Sequence, residues 1–277
     1  MTTPHNLEKQ KRLADYFHAY IHDYGFEKDI VAHRQELILD LLRKYKPSLV
    51  VEIGCGIDPI YLKVLKQRLK IKQWIIAEPM DAFAKAARKA NRKDIPLTVI
   101  HGFFEDSVED ILKVSQQPVD FVICSGLLHE VPRPGNLLSA IRQILKPKGT
   151  LHINVPNAHS LHRRLAKSMN LIKDLKEFSA RNKALMQFRV FDKTSLLAVM
   201  KKHGFTVLES GGYFLKPFSN KQMNQIRRIL TPEVLRGLYR LGQEYPDLAN
   251  EIYINATITA SRFPGQKNAI SSSLSFR

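Results

Sequence analysis

The sequence predicts an α/β fold: a seven-stranded, mostly parallel sheet with helices on both faces, a helical N-terminal extension and helical insertions after strands five and six. Three observations carry that expectation. Five short runs are apolar at nearly every position, the pattern of strands buried on both faces. Amphipathic stretches of helical length separate them, which makes right-handed crossovers the natural connection. The rhythm breaks after Val155, where a basic stretch without any strand-like run begins.

In chain order, residues 7–46 read as two or three helices, with Leu37, Ile38, Leu41 and Leu42 at helical spacing. Strands are expected at Leu49–Ile53, Trp74–Ala77, Leu97–Ile100, Val119–Cys124 and Thr150–Val155. Helices are expected at Ile60–Leu69, Asp81–Arg92, Glu105–Val114 and Pro134–Leu145. Residues 158–190 read as a helical lid, because they leave the fifth strand on the sheet edge where ligands bind. A helix over Asp192–His203 stops at Gly204, placed as a C′ residue. Phe205–Leu208 and Glu251–Ala260 are the last two strands. Between them lie helices around Asn220–Leu230 and Pro232–Tyr245, the second with Thr231 as N-cap and Pro232 at N1. The chain thus divides into a helical cap (1–46), a core (47–157), a basic lid (158–190) and a completing segment (191–277). The last of these carries a helical insertion at about 217–248 and ends in a frayed SSSLSFR tail.

A hydrophobic share of 44% over 277 residues supports a sizeable core. No apolar run approaches membrane-spanning length and the first residues lack a secretory h-region, so a cytoplasmic protein is expected. Cys55 and Cys124 both fall in strand-like apolar runs and read as reduced core residues. The net charge of +17 is unevenly placed. Residues 61–93 hold ten Lys/Arg against two acids, 159–190 hold eight against two, and 201–245 hold eight against three. Such surfaces suit anionic partners such as nucleic acid, phosphorylated substrates or acidic lipid, or simply line solvated helix faces. The ten histidines show no paired-ligand spacing beyond His159 and His162, and no cysteine joins them, so no metal centre is expected.

The strongest local signal is Val50-Val51-Glu52-Ile53-Gly54-Cys55-Gly56, a strand entering a glycine turn that lets backbone approach a ligand. The third glycine of a dinucleotide fingerprint is absent, since Asp58-Pro59 follows. That departure favours a cofactor without a pyrophosphate. Four further motifs follow in order. They are Ile75-Ile76-Ala77-Glu78-Pro79, His101-Gly102-Phe103-Phe104-Glu105-Asp106, the run from Val119 to Val131 containing Cys124-Ser125-Gly126-Leu127-Leu128-His129, and Leu145-Lys146-Pro147-Lys148-Gly149.

On these five motifs the chain resembles class I S-adenosylmethionine-dependent methyltransferases, which are Rossmann-like enzymes. The resemblance covers residues 48–156 well and the last two strands more loosely. Asn154-Val155-Pro156-Asn157 and Ser160-Leu161-His162-Arg163-Arg164 resemble the bacterial small-molecule branch, which includes quinone, sugar and natural-product enzymes. What the resemblance implies is S-adenosylmethionine as cofactor. Glu52 would meet its amino group, Gly54 and Gly56 would form the turn beneath it, and Glu78 with Pro79 would take the ribose hydroxyls. Phe104 and Glu105 would flank the adenine, with Asp106 competing for the same position and Phe104 equally suited to the core. Ser125 and Leu127 would line the methionine portion.

The implied reaction is in-line transfer of a methyl group from a sulfonium to oxygen or, as the less favoured choice, nitrogen. His129, just past the fourth strand, is the candidate general base. His159, His162, Arg163, Arg164 and Arg189 on the lid would face an acceptor, and Tyr16 and Tyr20 share a helix face that could close the pocket. A small-molecule acceptor is the leading expectation, with anionic and lipid-linked acceptors both fitting the charge. RNA methylation is the alternative, although the fourth-strand motif is not the N-P-P-Y/F type used on exocyclic amines.

Overall fold

The structure is a computed structural model and describes residues 25–259 together with Leu13 and Asp15. Tyr16, Tyr20 and the C-terminal tail lie outside the described residues. The strands are β1 (Leu49–Ile53), β2 (Gln73–Glu78), β3 (Leu97–His101), β4 (Val119–Ser125), β5 (Leu145–Pro156), β6 (Phe205–Tyr213) and β7 (Glu251–Ile258). They form one sheet in the order β3-β2-β1-β4-β5-β7-β6, with β7 antiparallel to both neighbours. Strand order reverses between β1 and β4, so the crevice beyond the carboxyl ends of these two strands is the topological switch point where ligands bind in such sheets.

The continuous apolar runs explain the two-sided cover. Val51, Ile53, Ile75, Val122 and Cys124 face one layer, built from α4 (Val108–Ser115), α5 (Pro134–Ile144) and α8 (Lys193–Lys202). Val50, Trp74, Ile76, Phe121 and Ile123 face the other, built from α1 (Glu27–Tyr45), α2 (Tyr61–Lys66) and α3 (Asp81–Lys89). Asp120, on β4, joins the strands at their far end: its Oδ2 accepts from Ser48 N and Leu49 N, each at 2.8 Å, and its Oδ1 pairs with Lys146.

Where the elements differ from expectation, local geometry is the reason. A 3₁₀ turn at Phe104–Asp106 takes up the start of the helix expected from Glu105. Strand β6 runs on to Tyr213, because it pairs with β7 along that whole length through one bulge between Val207 and Glu209. Cys55 lies in the turn after β1 instead of a strand, although it and Cys124 are both buried free thiols. Asp192 and Ser195 form a capping box that starts α8, and Gly204 beyond its end has φ of +76°.

The segment after β5 holds only two short helices, α6 (Leu161–Ser168) and α7 (Ala180–Ala184), joined by irregular chain. Its ends are pinched together by the Asn157–Phe191 bridge, with Ala158 N donating to Phe191 O at 2.7 Å. After β6 come α9 (Asn220–Gln225), a 3₁₀ turn at Arg227–Ile229 and α10 (Pro232–Glu244). Thr231 caps α10 by accepting from Val234 N. Gly242 lets this helix lie against the end of β6: a Cβ there would stand 2.1 Å from Phe214 N. Among the described residues, no helix is long and apolar enough to cross a membrane.

Candidate active site

A cavity of about 800 Å³ opens at the switch point. Its first half lies over β1, β2 and β3. There β1 enters Gly54 and Gly56, with φ of +70° and +58°, a region that side chains other than glycine rarely adopt. A Cβ on Gly54 would meet nothing nearer than the Leu127 side chain at 3.7 Å, so it would project into the cavity. Glu78 closes β2 and braces the turn, since its Oε2 accepts from Gly56 N at 3.2 Å and its Oε1 from Met80 N at 2.8 Å. Burial raises this carboxyl above its ordinary value, opposed by those backbone donors.

Glu52 also lines the cavity, but both oxygens are already engaged. Oε1 accepts from Ile60 N at 3.1 Å and Oε2 from Trp74 Nε1 at 3.0 Å. Burial pushes its pKa up to about 7 despite the two donors. Its first role here is to hold the loop after β1 onto β2. Phe104, expected either beside a bound ring or in the core, is buried beneath the 3₁₀ turn and also lines the cavity. The neighbouring Phe103 is half-buried and lines the same wall, as do Pro79 and Glu105.

The middle of the cavity is made by the end of β4. Gly126, with φ of +63°, donates its N–H to Asn154 O at 3.1 Å, and Ser125 and Leu127 flank it on the wall. His129 is buried. Its Nδ1 has no hydrogen-bond partner, and its Nε2 stands 3.6 Å from Glu130 Oε1, beyond hydrogen-bond reach. Burial and then the Arg34 charge depress its pKa to about 3, so the imidazole is neutral at physiological pH.

The second half of the cavity is walled by charge. Arg34, on α1, holds Glu251 of β7 by two contacts, Nε to Oε2 at 2.9 Å and Nη2 to Oε1, and reaches Glu27 Oε1 at 3.1 Å. Glu251 also accepts from Tyr213 Oη and, at 2.8 Å, from Asn154 Nδ2. Arg181 Nη2 lies 3.3 Å from Glu27 Oε2, and Lys216 Nζ donates to Asn220 Oδ1 at 2.6 Å. Among the described residues, no group of three or more His, Cys, Asp or Glu could hold a metal ion.

A model described as a methyltransferase domain matches residues 30–210. The chain belongs to this methyltransferase family. Its sheet order and glycine turn are those of the class I, S-adenosylmethionine-dependent members. Among solved structures, a S-adenosylmethionine-dependent methyltransferase from Thermotoga maritima is 20% identical, with a TM-score of 0.55 over 88% of this chain and 99% of its own. The plantazolicin methyltransferase BamL, in complex with a triazolic desmethylPZN analogue and SAH, is 14% identical, with a TM-score of 0.55 over 90% and 97%. The plantazolicin methyltransferase BpumL is 13% identical, with a TM-score of 0.53 over 91% of each chain. At these identities the likeness is one of fold. No curated protein matches the sequence.

The methyltransferase brings some of the expected residues to the cavity and turns others away. Gly54, Gly56, Glu78, Pro79, Glu105, Ser125, Leu127, His129, His162 and Arg163 line it. Three of the expected acceptor contacts do not. His159 points at Asp192, with Nε2 to Oδ2 at 3.8 Å, because the first turn of the 158–190 segment faces α8 there. Arg189 Nη1 donates to Val131 O at 3.0 Å and Pro132 O at 3.1 Å, so it fastens this segment to the loop after β4. Arg164 donates to His159 O, and Arg163, although on the wall, holds Leu175 O and Glu177 O. The charged residues that sequence reasoning missed are Arg34, Glu251 and Lys216. Of these, only Glu251 carried a local signal, as a carboxylate opening an apolar strand.

Proposed function

We propose that this methyltransferase moves the methyl group of S-adenosylmethionine to an oxygen of a small-molecule acceptor enclosed beneath residues 158–190. The observation that carries the reading is His129, which lines the middle of the cavity and whose Nδ1 is buried and unpartnered. The residues present fit the cofactor. Gly54 offers a backbone cradle that any Cβ would fill, and Glu78 keeps acceptor capacity on the wall beyond its two backbone donors. Gly54, Gly56, Glu78, Phe103 and Leu127 would hold it. When bound, it supplies an already activated methyl group on a sulfonium.

The protein's task is then to orient the acceptor and to take its proton. A neutral imidazole whose free nitrogen has been stripped of water can accept a hydrogen bond from a hydroxyl and fix its direction. A pKa of about 3 makes His129 a poor base toward a free alcohol. An oxygen that is gaining a methyl group becomes far more acidic than that imidazolium, so the proton passes to Nδ1 late in the reaction. An amine is already a nucleophile once neutral and gains less from such a group, which favours oxygen. A concave cavity of about 800 Å³ favours a small acceptor over a folded RNA. The free, buried Cys55 and Cys124 suit a reducing, cytoplasmic setting.

Calorimetric titration with S-adenosylmethionine and S-adenosylhomocysteine tests the cofactor half of this reading. His129→Ala tests the other half: turnover on a hydroxyl acceptor should fall at least tenfold while cofactor affinity stays within twofold. Equal loss of both would make His129 a structural residue.

A further inference from the structure

The acceptor half of the cavity carries more positive charge than its carboxylates neutralise. Four cations, Arg34, Arg163, Arg181 and Lys216, line it against three carboxylates, Glu27, Glu251 and Glu130. Arg34 is committed to Glu27 and Glu251, and Arg181 also lies against Glu27. Lys216 is 6% exposed, just beyond the end of β6, and among the described residues its only hydrogen-bond partner is Asn220. An ammonium has three donors, so most of its capacity is unused. His162, one turn into the lid, lines the same wall, and its Nδ1 is shut off from solvent without a partner. Lys216 and His162, from two different segments, thus both line this side of the cavity, and a buried donor left short of acceptors is costly.

We propose that the acceptor carries an anionic group, a carboxylate or a phosphate, seated between the Lys216 ammonium and the His162 Nδ1 on the β5–β6 side of the cavity. The inference rests on the methyl-transfer reading above and names the acceptor's chemistry. A neutral His162 donates from Nδ1 in one tautomer, and burial together with the Lys216 and Arg163 charges keeps it neutral. The anion would sit across the cavity from the glycine turn and from Glu78, whose carboxylate would repel it. Burial lowers Lys216 to about 8, with Glu27 and Glu251 raising it and Arg181 and Arg163 lowering it further. A bound anion would restore the charged form.

The test uses the full chain saturated with S-adenosylhomocysteine, so that the cofactor's own carboxylate already occupies its place. Inorganic phosphate and acetate are titrated calorimetrically, with chloride at matched ionic strength as the control. Binding of either anion beyond chloride is expected. It should weaken at least tenfold in Lys216→Met and at least threefold in His162→Leu, with cofactor affinity kept within twofold. Tighter phosphate than acetate would mark a phosphorylated acceptor, and the reverse a carboxylate. Acetate affinity should fall about tenfold between pH 7 and 9 as Lys216 loses its proton. Wild-type anion binding in both variants, or none beyond chloride in the native protein, would overturn the inference. Failure to bind the cofactor would instead overturn the methyl-transfer reading itself.

Discussion

Replacing Arg34 by methionine should destabilise the fold by about 3–5 kcal/mol, because it strands a buried charge. Glu251 has a side chain that is 2% exposed, and Arg34 is the cation that meets both of its oxygens. Without Arg34, the remaining hydrogen-bond donors to this carboxylate are the neutral Tyr213 and Asn154. The magnitude therefore reflects an uncompensated carboxylate in a low-dielectric wall, not the worth of the contact itself. At roughly 2–4 °C per kcal/mol for a chain of this size, Tm should fall by about 6–20 °C. Scanning calorimetry of the ligand-free protein at one pH is the assay, since bound ligand shifts Tm by mass action. Adding Glu251→Gln to Arg34→Met removes the stranded charge, so the double variant should be about 2 kcal/mol more stable than the two single losses added together. A Tm loss below about 3 °C for Arg34→Met, or strict additivity, would show that water reaches the pair and that the argument from burial fails.

Three further expectations follow from the same geometry. Gly54→Arg should abolish binding of S-adenosylhomocysteine, since the side chain projects into the cavity and its φ of +70° adds strain of about 1–2 kcal/mol; unchanged affinity by calorimetry would move the site elsewhere. Glu52 is held at about 7 in the fold against 4.5 ordinarily, so between those values the folded chain keeps a proton that the unfolded chain has released. Its contribution to stability should thus fall by roughly 3 kcal/mol as pH rises through that window. Denaturant titrations of ligand-free protein should show this decline shrink in Glu52→Gln, and an identical profile in the variant would refute it. Arg189→Ala should raise the rate of proteolysis within residues 169–178 several-fold with cofactor affinity unchanged, because Arg189 fastens this segment's end to Val131 O and Pro132 O.

The half of the cavity proposed for the cofactor was legible in the sequence because its geometry is local. A turn that needs positive φ shows as Gly54 and Gly56, and a carboxylate bracing two nearby backbone amides shows as Glu78 closing an apolar strand. Sheet strands buried on both faces show as continuous apolar runs, and only their ends shifted when pairing was seen. Whether Phe104 packs in the core or meets the cavity was left open, since both depend on the 3₁₀ turn, where the residue is buried yet lines the cavity wall. The acceptor half was illegible for a different reason. Arg34 and Glu251 lie 217 residues apart, and nothing near either announces the other. Arg189 and His159 carry the right chemistry but are used for fastening, and only packing decides between the two fates.

The acceptor half also links binding to motion through a single residue. The carbonyl of His129 accepts from Phe188 N at 3.0 Å and from Arg189 N at 3.3 Å, so the proposed lid hangs from a residue that lines the cavity. The other end of that segment is pinned by the bridge between Asn157 and Phe191, while the chain between α6 and α7 is largely exposed. Opening requires the two backbone contacts at His129 and the two made by the Arg189 side chain to break, together with those from Gln187 to Glu130, Arg181 to Glu27 and Lys176 to Asp192. Losing the first pair would free the His129 peptide and let water reach Nδ1, which would raise the imidazole toward its ordinary pKa. In this arrangement an open lid leaves His129 solvated and poorly aimed, and a closed lid leaves it neutral, dry and directed. Closure over an acceptor would then set the position and the protonation state of the proposed proton acceptor together.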